Sequence, residues 1–446
     1  MRINLNDYTE LLKAQKRKEM DKGRVLEFVS KEVLKLESYL EKELFKKCFE
    51  GNGISKIVVM VDGFDQISPI YKETVLDLLQ VLKQTSLEQL WVTTRHHLRE
   101  DLEDNLQQLS YTLQPLSEVE QIEFLKKFWL QNLNLEVKNQ HRLQIYAEAI
   151  ISKLSQSIGD KDKEFTAIPL HTRMLAEAYE QDCRSFYLSD KSEPELPHKL
   201  DLQGLYRRFI ESKYDIYYWE QFKTAAGEMA ADGIRDRDLK YIQLEHQRLA
   251  LQVLFTKDQV IFKQIGHHLT FSDEELARIG IAQRNSEGKL QFIHRTFAEY
   301  FVAEFLIKQL TKKTKQNEQV QEFLLNKVLL RKDCEVIRTF LDGLLNKFSP
   351  SKEVMKDFAE KLDELWNEKK AHGHMMVCTI ALHEAATEDN AGIIGFILDS
   401  LKSGEYSNAL TNILLATDIL GRTAWHMAAE TNSIQALKKY WNGLTQ

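Results

Sequence analysis

Two short apolar runs with a helical pattern between them constrain the fold more than any other feature of this sequence. Residues 57–61 form an apolar run without alternation that ends in Asp62, and residues 90–94 form a second run that ends in Arg95. Such runs are typical of strands covered on both faces of a parallel sheet. Residues 71–82 place apolar side chains at helical spacing between them. The pattern predicts a βαβ unit, which brings Asp62 and Arg95 to the same edge of the sheet.

The α/β pattern extends on both sides of this unit. Residues 2–5 and 111–116 are predicted to be further short strands. Ser117 and Glu120 then form the capping-box pattern that begins a helix. We therefore predict that an α/β domain covers residues 1–116.

The remainder of the sequence is predicted to be mostly helical, with one hairpin. Residues 278–284 and 290–293 have strand patterns, and the turn-forming residues 285–288 join them. A hairpin among helices suggests a winged helix. The predicted domains are a helical domain at 117–200, a winged-helix domain at 201–310, a helical linker domain at 311–375 and ankyrin-like repeats at 376–446.

The predicted repeats rest on one recurring segment. Leu-His-Glu-Ala-Ala around His383 recurs as Trp-His-Met-Ala-Ala around His426, which is the helix-start pattern of ankyrin repeats. The interval exceeds the roughly 33 residues of a regular repeat, so we expect an insertion between the copies. Two copies cannot close a core alone. Either they pack on the preceding helices, or the array is cut off by the end of the chain.

Composition excludes several classes of partner. The 446 residues include 60 basic and 67 acidic side chains, for a net charge of −7, so no chain-wide positive field exists to hold nucleic acid or an anionic membrane. The four cysteines form no CxxC pair, which argues against a disulfide framework and a zinc site. We find no signal-peptide pattern and no 18-residue apolar run, and the expected location is cytoplasmic.

The pentapeptide at 62–66 places two carboxylates, Asp62 and Asp65, directly after a predicted strand. A Walker B motif supplies an acid in this place, because a carboxylate held by the sheet ligates the Mg²⁺ of a bound nucleotide. Arg95, after the next strand, has the charge to sense a phosphate. Plainer interpretations remain open, since an Asp at a strand end also begins ordinary turns and an Arg there also pairs with a carboxylate or faces water.

These motifs resemble those of the NACHT-type nucleotide-binding proteins, a family in the STAND class of signalling NTPases. The resemblance covers most of the chain, in the family's order: Walker B at 59–65, sensor 1 at 92–95, the proline motif at 168–170, the winged-helix motif at 292–301 and the ankyrin-like repeats. It implies an α/β then α fold, in which an incomplete P-loop NTPase parallel sheet precedes helical and winged-helix domains and ankyrin-like helical repeats.

The resemblance also implies roles for single residues. It assigns Asp62 as the Mg²⁺ ligand, Asp65 as a second acid, Arg95 as the γ-phosphate sensor, Pro169 as the residue near adenine and His294 as the contact to the β-phosphate. The implied cofactors are ATP or ADP with Mg²⁺. For His294 a second interpretation stays open, in which it is a histidine at the edge of the core that donates to a backbone carbonyl.

Two departures from the family pattern weaken the implied nucleotide site. Gln66 stands where the family usually has Glu and cannot act as a carboxylate base. The residues also contain no G-x-x-x-x-G-K-[ST] segment, which supplies backbone N–H groups and a Lys to the phosphates. We expect that this sequence is truncated or incomplete, and that the P-loop of the complete protein lies just upstream of Met1. Since each charge-assisted contact is worth about 1.5–3 kcal/mol, nucleotide binding should be weaker by orders of magnitude.

Other conspicuous side chains have structural interpretations. His383 and His426 are predicted to link neighbouring loops of the repeats by hydrogen bonds. The aromatic side chains between 206 and 219 could form a partner-binding face, but their spacing favours ordinary helix core.

Two functions follow from these patterns. In the first, the chain is part of an ATP/ADP-dependent switch, in which a signal on the repeats permits nucleotide exchange, opening and self-association of the complete protein. In the second, it is a helical and ankyrin-like protein-interaction module whose NTPase portion is vestigial. Both require protein partners that bind the repeats and the helical surfaces.

Overall fold

The structure, a computed structural model, describes most of the chain. The residues outside the description are 9–10, 13–20, 51–56, 65–71, 95–97, 134–138, 158–167, 198–199, 223–230, 256–270, 286–287, 311–316, 348–351, 371–376, 404–406, 419 and 446. Two predicted site residues, Asp65 and Arg95, lie outside the described residues. The chain divides into two compact units, which are Met1–Leu113 with Arg284–Lys289, and Gln114–Gln283 with Leu290–Gln446.

The first unit contains a three-stranded parallel sheet. Its strands are β1 (Arg2–Asn4), β2 (Val58–Asp62) and β3 (Gln89–Val92), in the order β1-β2-β3. The predicted βαβ unit and the predicted strand near the amino terminus are confirmed. The α-helices of this unit are α1 (Lys22–Glu27), α2 (Tyr39–Phe49), α3 (Lys72–Lys83) and α4 (Arg99–Leu106).

One face of the sheet is covered and the other is not. Val59 and Val61 are fully buried with the apolar face of α3, whereas Met60 is 47% exposed and Trp91 is 48% exposed. Successive side chains of a strand point to opposite faces, so these values belong to two different faces. The prediction that both faces are covered is therefore wrong for the described residues.

The strand predicted at 111–116 is also wrong. These residues have no regular secondary structure. Leu109, Tyr111 and Leu113 are 82%, 88% and 92% exposed. Their alternating pattern suits a strand, but a strand also needs a hydrogen-bonded neighbour, and among the described residues no strand pairs with this segment.

The second unit is mostly helical. The capping box of Ser117 and Glu120 begins its first helix as predicted. Its α-helices are α5 (Glu118–Asn132), α6 (Gln140–Ser157), α7 (Pro169–Ala178), α8 (Glu180–Leu188), α9 (Leu202–Phe222), α10 (Ala231–Leu254), α11 (Asp273–Arg278), α12 (Arg295–Leu310), α13 (Asn317–Phe323), α14 (Glu335–Leu345), α15 (Lys352–Lys370), α16 (Val377–Thr387), α17 (Ala391–Ser403), α18 (Ser407–Leu415), α19 (Ala424–Glu430) and α20 (Ile434–Thr445). None of the described helices is both long and apolar enough to cross a membrane.

The predicted hairpin is confirmed in a shorter form. Its strands are β4 (Ala282–Arg284) and β5 (Leu290–Phe292), and Arg278 ends a helix instead of beginning a strand. Gly288 has a φ of 78°, which glycine adopts without strain, and its amide donates to the carbonyl of Asn285 at 2.9 Å.

Aromatic side chains form much of the core of the second unit. The helix α9 buries five of them and α12 buries four more, in agreement with the predicted core role: Tyr206, Phe209, Tyr214, Tyr217, Tyr218, Phe297, Tyr300, Phe301 and Phe305. The partner-face alternative is not supported for these residues, since each of them is buried.

The helix pairs α16/α17 and α19/α20 repeat the same turn. Asp389 and Asn432 both adopt a left-handed conformation, with φ of 60° and 55°. The following amide donates back five residues in each pair, from Asn390 to Ala385 and from Ser433 to Ala428, both at 2.8 Å. These contacts form a Schellman motif that ends the first helix of each pair. The recurrence seen in the sequence is therefore also a recurrence of local structure.

The two helix pairs pack on each other, and the first pair also packs on the preceding helices α14 and α15. At each contact between successive layers of helices, an Asp carboxylate accepts a hydrogen bond from a backbone amide. Asp342 accepts from the amide of Ile393 at 2.9 Å, and Asp389 accepts from the amide of Ala436 at 2.8 Å. Each contact satisfies an amide in the first turn of the next helix. Of the two alternatives from the sequence, the structure shows the one in which the pair packs on the preceding helices. The predicted insertion contains α18.

A buried ion pair lies where this stack begins. Arg338 is fully buried and pairs with Glu388, and its Nε donates to the carboxylate at 2.7 Å. The same guanidinium donates to the carbonyls of Val328 and Arg331. Burial raises the pKa of Glu388 above its ordinary value, and the contact with Arg338 opposes this increase. One side chain thus connects three segments of the second unit.

Candidate functional site

The carboxyl edge of the sheet places polar residues of three strands side by side. Asn4 is the register partner of Asp62 in the parallel pairing of β1 with β2. On the other side of Asp62, the amide of Thr93 donates to the carbonyl of Val61 at 2.9 Å. Parallel pairing thus fixes Asn4, Asp62 and Thr93 at one edge, which is where ligands bind to open parallel sheets.

Both oxygens of the Asp62 carboxylate have partners. The Thr93 hydroxyl donates to Oδ1, and the Arg2 guanidinium pairs with Oδ2. Burial acts to raise the pKa of Asp62, but the hydrogen bonds from Thr93 and Arg2 outweigh it, and the pKa lies below its ordinary value. The group is therefore a carboxylate at neutral pH, and a cation is already beside it.

The turn after β2 fixes this carboxylate. Gly63 has a φ of 85°, where a side chain would strain the backbone, and its amide donates to the Thr93 hydroxyl at 3.3 Å. The next amide, of Phe64, donates to the carbonyl of Thr93 at 3.2 Å, and the Phe64 ring is fully buried. The positive φ thus favours glycine at this position.

The donor set of this edge fits Mg²⁺ only in part. Mg²⁺ in nucleotide sites takes one or two carboxylates together with phosphate oxygens, and Asp62 and the Thr93 hydroxyl are ligands of that kind. Arg2 would have to leave Oδ2 before a cation could approach it. Among the described residues there is no group of three or more His, Cys, Asp or Glu side chains that could hold a metal.

The predicted proline motif begins a helix. Pro169 is the first residue of α7, a position where its missing N–H costs nothing. Ile168 before it is extended, as the residue before a proline usually is. The Pro169 ring is exposed, and the buried polar residues of this turn are His171 and Thr172.

His294 lies between β5 and α12 and is half-buried. Its Nδ1 is 2.8 Å from the hydroxyl of Thr296 and 3.3 Å from the amide of the same residue. A backbone amide is always a donor, so Nδ1 is an acceptor here. The contact that the structure shows for Nδ1 is therefore not the donation to a backbone carbonyl that the alternative interpretation of His294 predicted.

A buried hydrogen-bond chain connects the neighbourhoods of Pro169 and His294. The hydroxyl of Tyr206 donates to the hydroxyl of Thr296 at 2.7 Å, and Nε2 of His171 is 2.8 Å from the Tyr206 hydroxyl. We call the residues His171, Tyr206, Thr296 and His294 the relay. The first three are almost fully buried.

Sequence reasoning missed three of the four relay residues. His171 and Thr296 each lie two positions from a predicted site residue, and Tyr206 was assigned to the core on the basis of its spacing. The available signal was a tyrosine hydroxyl in a core helix, because a buried hydroxyl needs a hydrogen-bond partner.

The two histidines of the repeats differ in role. Nε2 of His383 is 2.9 Å from the carbonyl of Arg422, so the predicted link between neighbouring loops is confirmed there. For His426 the prediction is wrong. Its Nδ1 is 2.8 Å from the Thr423 hydroxyl, in a capping box that begins its own helix.

No protein-family model matches the chain, and no curated protein matches it.

Proposed function

We propose that this chain is a NACHT-type signalling or scaffold protein that acts through protein–protein interaction, and that its α/β unit belongs to an ATP- and ADP-dependent switch with low nucleotide affinity. The observation that supports the switch most is the position of Asp62. It is an ionised carboxylate at the carboxyl edge of a parallel sheet, beside a hydroxyl that could share a cation with it.

The low affinity follows from the same site. Arg2 already neutralises the carboxylate, so a Mg²⁺-nucleotide complex must displace it. The sequence also lacks the G-x-x-x-x-G-K-[ST] segment that would hold the phosphates. We therefore expect a dissociation constant for MgADP of about 1 mM or higher. This corresponds to a binding free energy no more favourable than about −4 kcal/mol.

Ligand-observed NMR titration with ADP tests this proposal. We expect saturation transfer to ADP at millimolar concentrations, which decreases when EDTA removes Mg²⁺ and in Asp62→Asn. The control is Asp104→Asn, a change of the same kind on α4, which should leave the transfer unchanged. Equal transfer in both variants and in wild type would refute a role for Asp62 in nucleotide binding.

A second candidate is an interaction module without nucleotide function. The Arg2–Asp62 pair favours it, because a carboxylate with its own fixed cation needs no metal. The same titration discriminates between the two. Absence of any Asp62-dependent transfer at about 10 mM ADP, well above the affinity proposed here, would favour the second candidate.

Exposed apolar side chains on the last helix pair support the interaction role shared by both candidates. Trp441 is 61% exposed and its ring lies 6.3 Å from that of Trp425, Ile434 at the start of α20 is also exposed, and so is Leu420 in the turn before α19. Aromatic side chains of this kind frequently dominate binding to protein partners.

Affinity capture with quantitative mass spectrometry tests the interaction role. We expect Trp441→Glu to reduce a defined set of captured proteins by about fivefold or more, as removal of a central aromatic contact does. Lys402→Glu, at an exposed position on α17, is the control and should retain that set. If the two variants and wild type capture the same proteins equally, the last helix pair is not the interaction surface.

A further inference from the structure

The last helix pair, α19/α20, repeats the contact positions of the pair before it, α16/α17. A constant interval along the sequence takes His383 to His426 and Asp389 to Asn432. In the first pair both residues bind the last pair, because Nε2 of His383 donates to the carbonyl of Arg422 and Asp389 accepts from an amide in the first turn of α20. The corresponding positions of the last pair are therefore those that would bind a further helix pair.

The exposure of these positions differs between the two pairs. His383 is buried, whereas His426 is exposed. The same interval takes Leu398, which is 1% exposed, to Trp441, which is 61% exposed. The last pair packs on the first. It thus leaves exposed the kinds of position that are buried in the pair before it.

Two polar groups accompany the exposed Trp441 ring. The amide of Thr423 donates to Nδ1 of His426 at 3.2 Å, so the proton of the neutral ring is on Nε2. Asn432 has a φ of 55°, close to the 60° of Asp389. Within the described part of the chain, neither the Asn432 side chain nor Nε2 of His426 has a hydrogen-bond partner. The pair presents an N–H donor and a side-chain oxygen acceptor where the preceding pair uses the same two kinds of group.

We propose that His426, Asn432 and Trp441, which we call the end surface, dock a helix pair of a partner protein that continues the stack. A carbonyl before the first helix of the partner accepts from Nε2 of His426. An amide in the first turn of its second helix donates to Asn432, and its apolar side chains cover Trp441. This inference names the kind of partner for the interaction role proposed above, and it rests on that role.

A second copy of this chain is not the expected occupant. In the described stack, the first-turn amides of this kind belong to Ile393 and Ala436, and each already donates to a carboxylate. The corresponding carbonyl, that of Arg422, already accepts from His383. A second copy would have to break these contacts before it could dock. A partner with its own helix pair would not.

An added helix pair tests the end surface directly. A copy of residues 404–446, joined after residue 446 of the full chain, supplies a helix pair at the interval of the existing ones. Neighbouring units of a stack stabilise one another, so we expect hydrogen exchange of the backbone amides at 424–445 to slow by about tenfold or more. Mass spectrometry of the exchanged protein measures this. Unchanged exchange would overturn the proposal.

Substitutions of Asn432 in this extended chain separate hydrogen bonding from packing. Asn432→Gly tolerates the positive φ and removes the acceptor, and should reduce the slowing by about fivefold, as expected for the loss of one hydrogen bond. Asn432→Asp is the matched control, because it keeps an acceptor as Asp389 does, and should retain the slowing. Equal slowing in Asn432→Gly and in the unsubstituted extended chain would also overturn the proposal.

His426→Asn tests the second polar group. The Asn side chain retains an acceptor that can cap Thr423, but it lacks the Nε2–H group. In the extended chain, this variant should reduce the slowing to a similar extent as Asn432→Gly. No reduction would refute the donor role of His426.

Affinity capture with the extended chain separates this inference from the proposed function. If both hold, the added helix pair occupies the end surface and abolishes capture of the proteins that Trp441→Glu loses. A helix pair that docks in an Asn432-dependent way, in a protein whose captured set does not depend on Trp441, would sustain the docking geometry and refute the interaction role. A docked helix pair that leaves the Trp441-dependent capture unchanged would overturn the proposed mode of partner binding.

Discussion

At the scale of single residues, His246 is a buried histidine whose pKa is shifted far from its ordinary value. It is fully buried in α10, and its ring stacks on Phe301 at 5.2 Å. Nδ1 contacts the carbonyl of Ile242 at 3.0 Å and the hydroxyl of Tyr214 at 3.1 Å, while Nε2 has no hydrogen-bond partner among the described atoms. Burial lowers the pKa of His246 to about 4, against the opposing effect of the Ile242 carbonyl.

This buried imidazole should make folding stability depend on pH. The unfolded chain binds a proton near pH 6.5 and the folded chain near pH 4, so stability is complete above about pH 6.5 and decreases as the pH falls to about 4, by up to about 3 kcal/mol. Urea denaturation at pH 7 and pH 4.5 measures the loss. The free energy of unfolding of His246→Gln should decrease less between pH 7 and pH 4.5 than that of the wild type. Equal decreases in variant and wild type would show that His246 does not cause the pH dependence.

Asp62→Ala should change the stability of the chain little. Its ion pair with Arg2 is largely exposed, and exposed pairs contribute about 1 kcal/mol or less. Thermal unfolding with and without Mg²⁺ measures this. A marked loss of stability that occurs only when Mg²⁺ is present would show that the carboxylate holds a metal, contrary to our expectation.

At the scale of elements, local patterns predicted what local physics determines. The helix α3 and the capping box of Ser117 were predicted because each depends on neighbours in sequence, and the strand that ends at Asp62 was predicted from its continuous apolar run. The segment at 111–116 failed because pairing depends on a distant strand. The relay could not be predicted for the same reason, since Tyr206 and Thr296 are ninety positions apart.

Substitution of the buried Arg338 is predicted to have a large effect on stability. Arg338→Met leaves Glu388 buried without its cation, and should reduce the free energy of unfolding by about 3–5 kcal/mol. The double variant Arg338→Met/Glu388→Leu should be less destabilised than the single one, because it leaves no unpaired charge. Chemical denaturation of the series measures these values.

The control for this series is an exposed pair. Lys191→Met removes the partner of Glu195 at the surface, and should leave the free energy of unfolding nearly unchanged because the pair is exposed to solvent. If the buried and the exposed substitutions cost the same, the ion pair does not stabilise the start of the stack.

At the scale of the whole molecule, the described residues form two separate hydrophobic cores, one in each unit. The sequence predicted an α/β part followed by helices, because strand and helix periodicities differ along the chain. It could not predict that the sheet has one covered face, since coverage depends on which elements pack on it.

Two cores predict two unfolding transitions. Leu78→Ala in the first unit and Leu341→Ala in the second each empty a fully packed site, and should each cost about 2–5 kcal/mol. Differential scanning calorimetry should show that each variant lowers the midpoint of a different transition. A single transition that both variants shift equally would mean that the units unfold together.

The unpaired apolar segment after α4 has a consequence for the protein in concentrated solution. Leu109, Tyr111 and Leu113 are exposed and have no regular secondary structure, and the ring of Tyr111 lies 6.3 Å from that of Trp91 on β3, an edge strand of the described sheet. Exposed edges with apolar side chains are templates for intermolecular β-pairing. We therefore expect this segment to promote self-association at high protein concentration, and Tyr111→Lys to raise the solubility measured by precipitation.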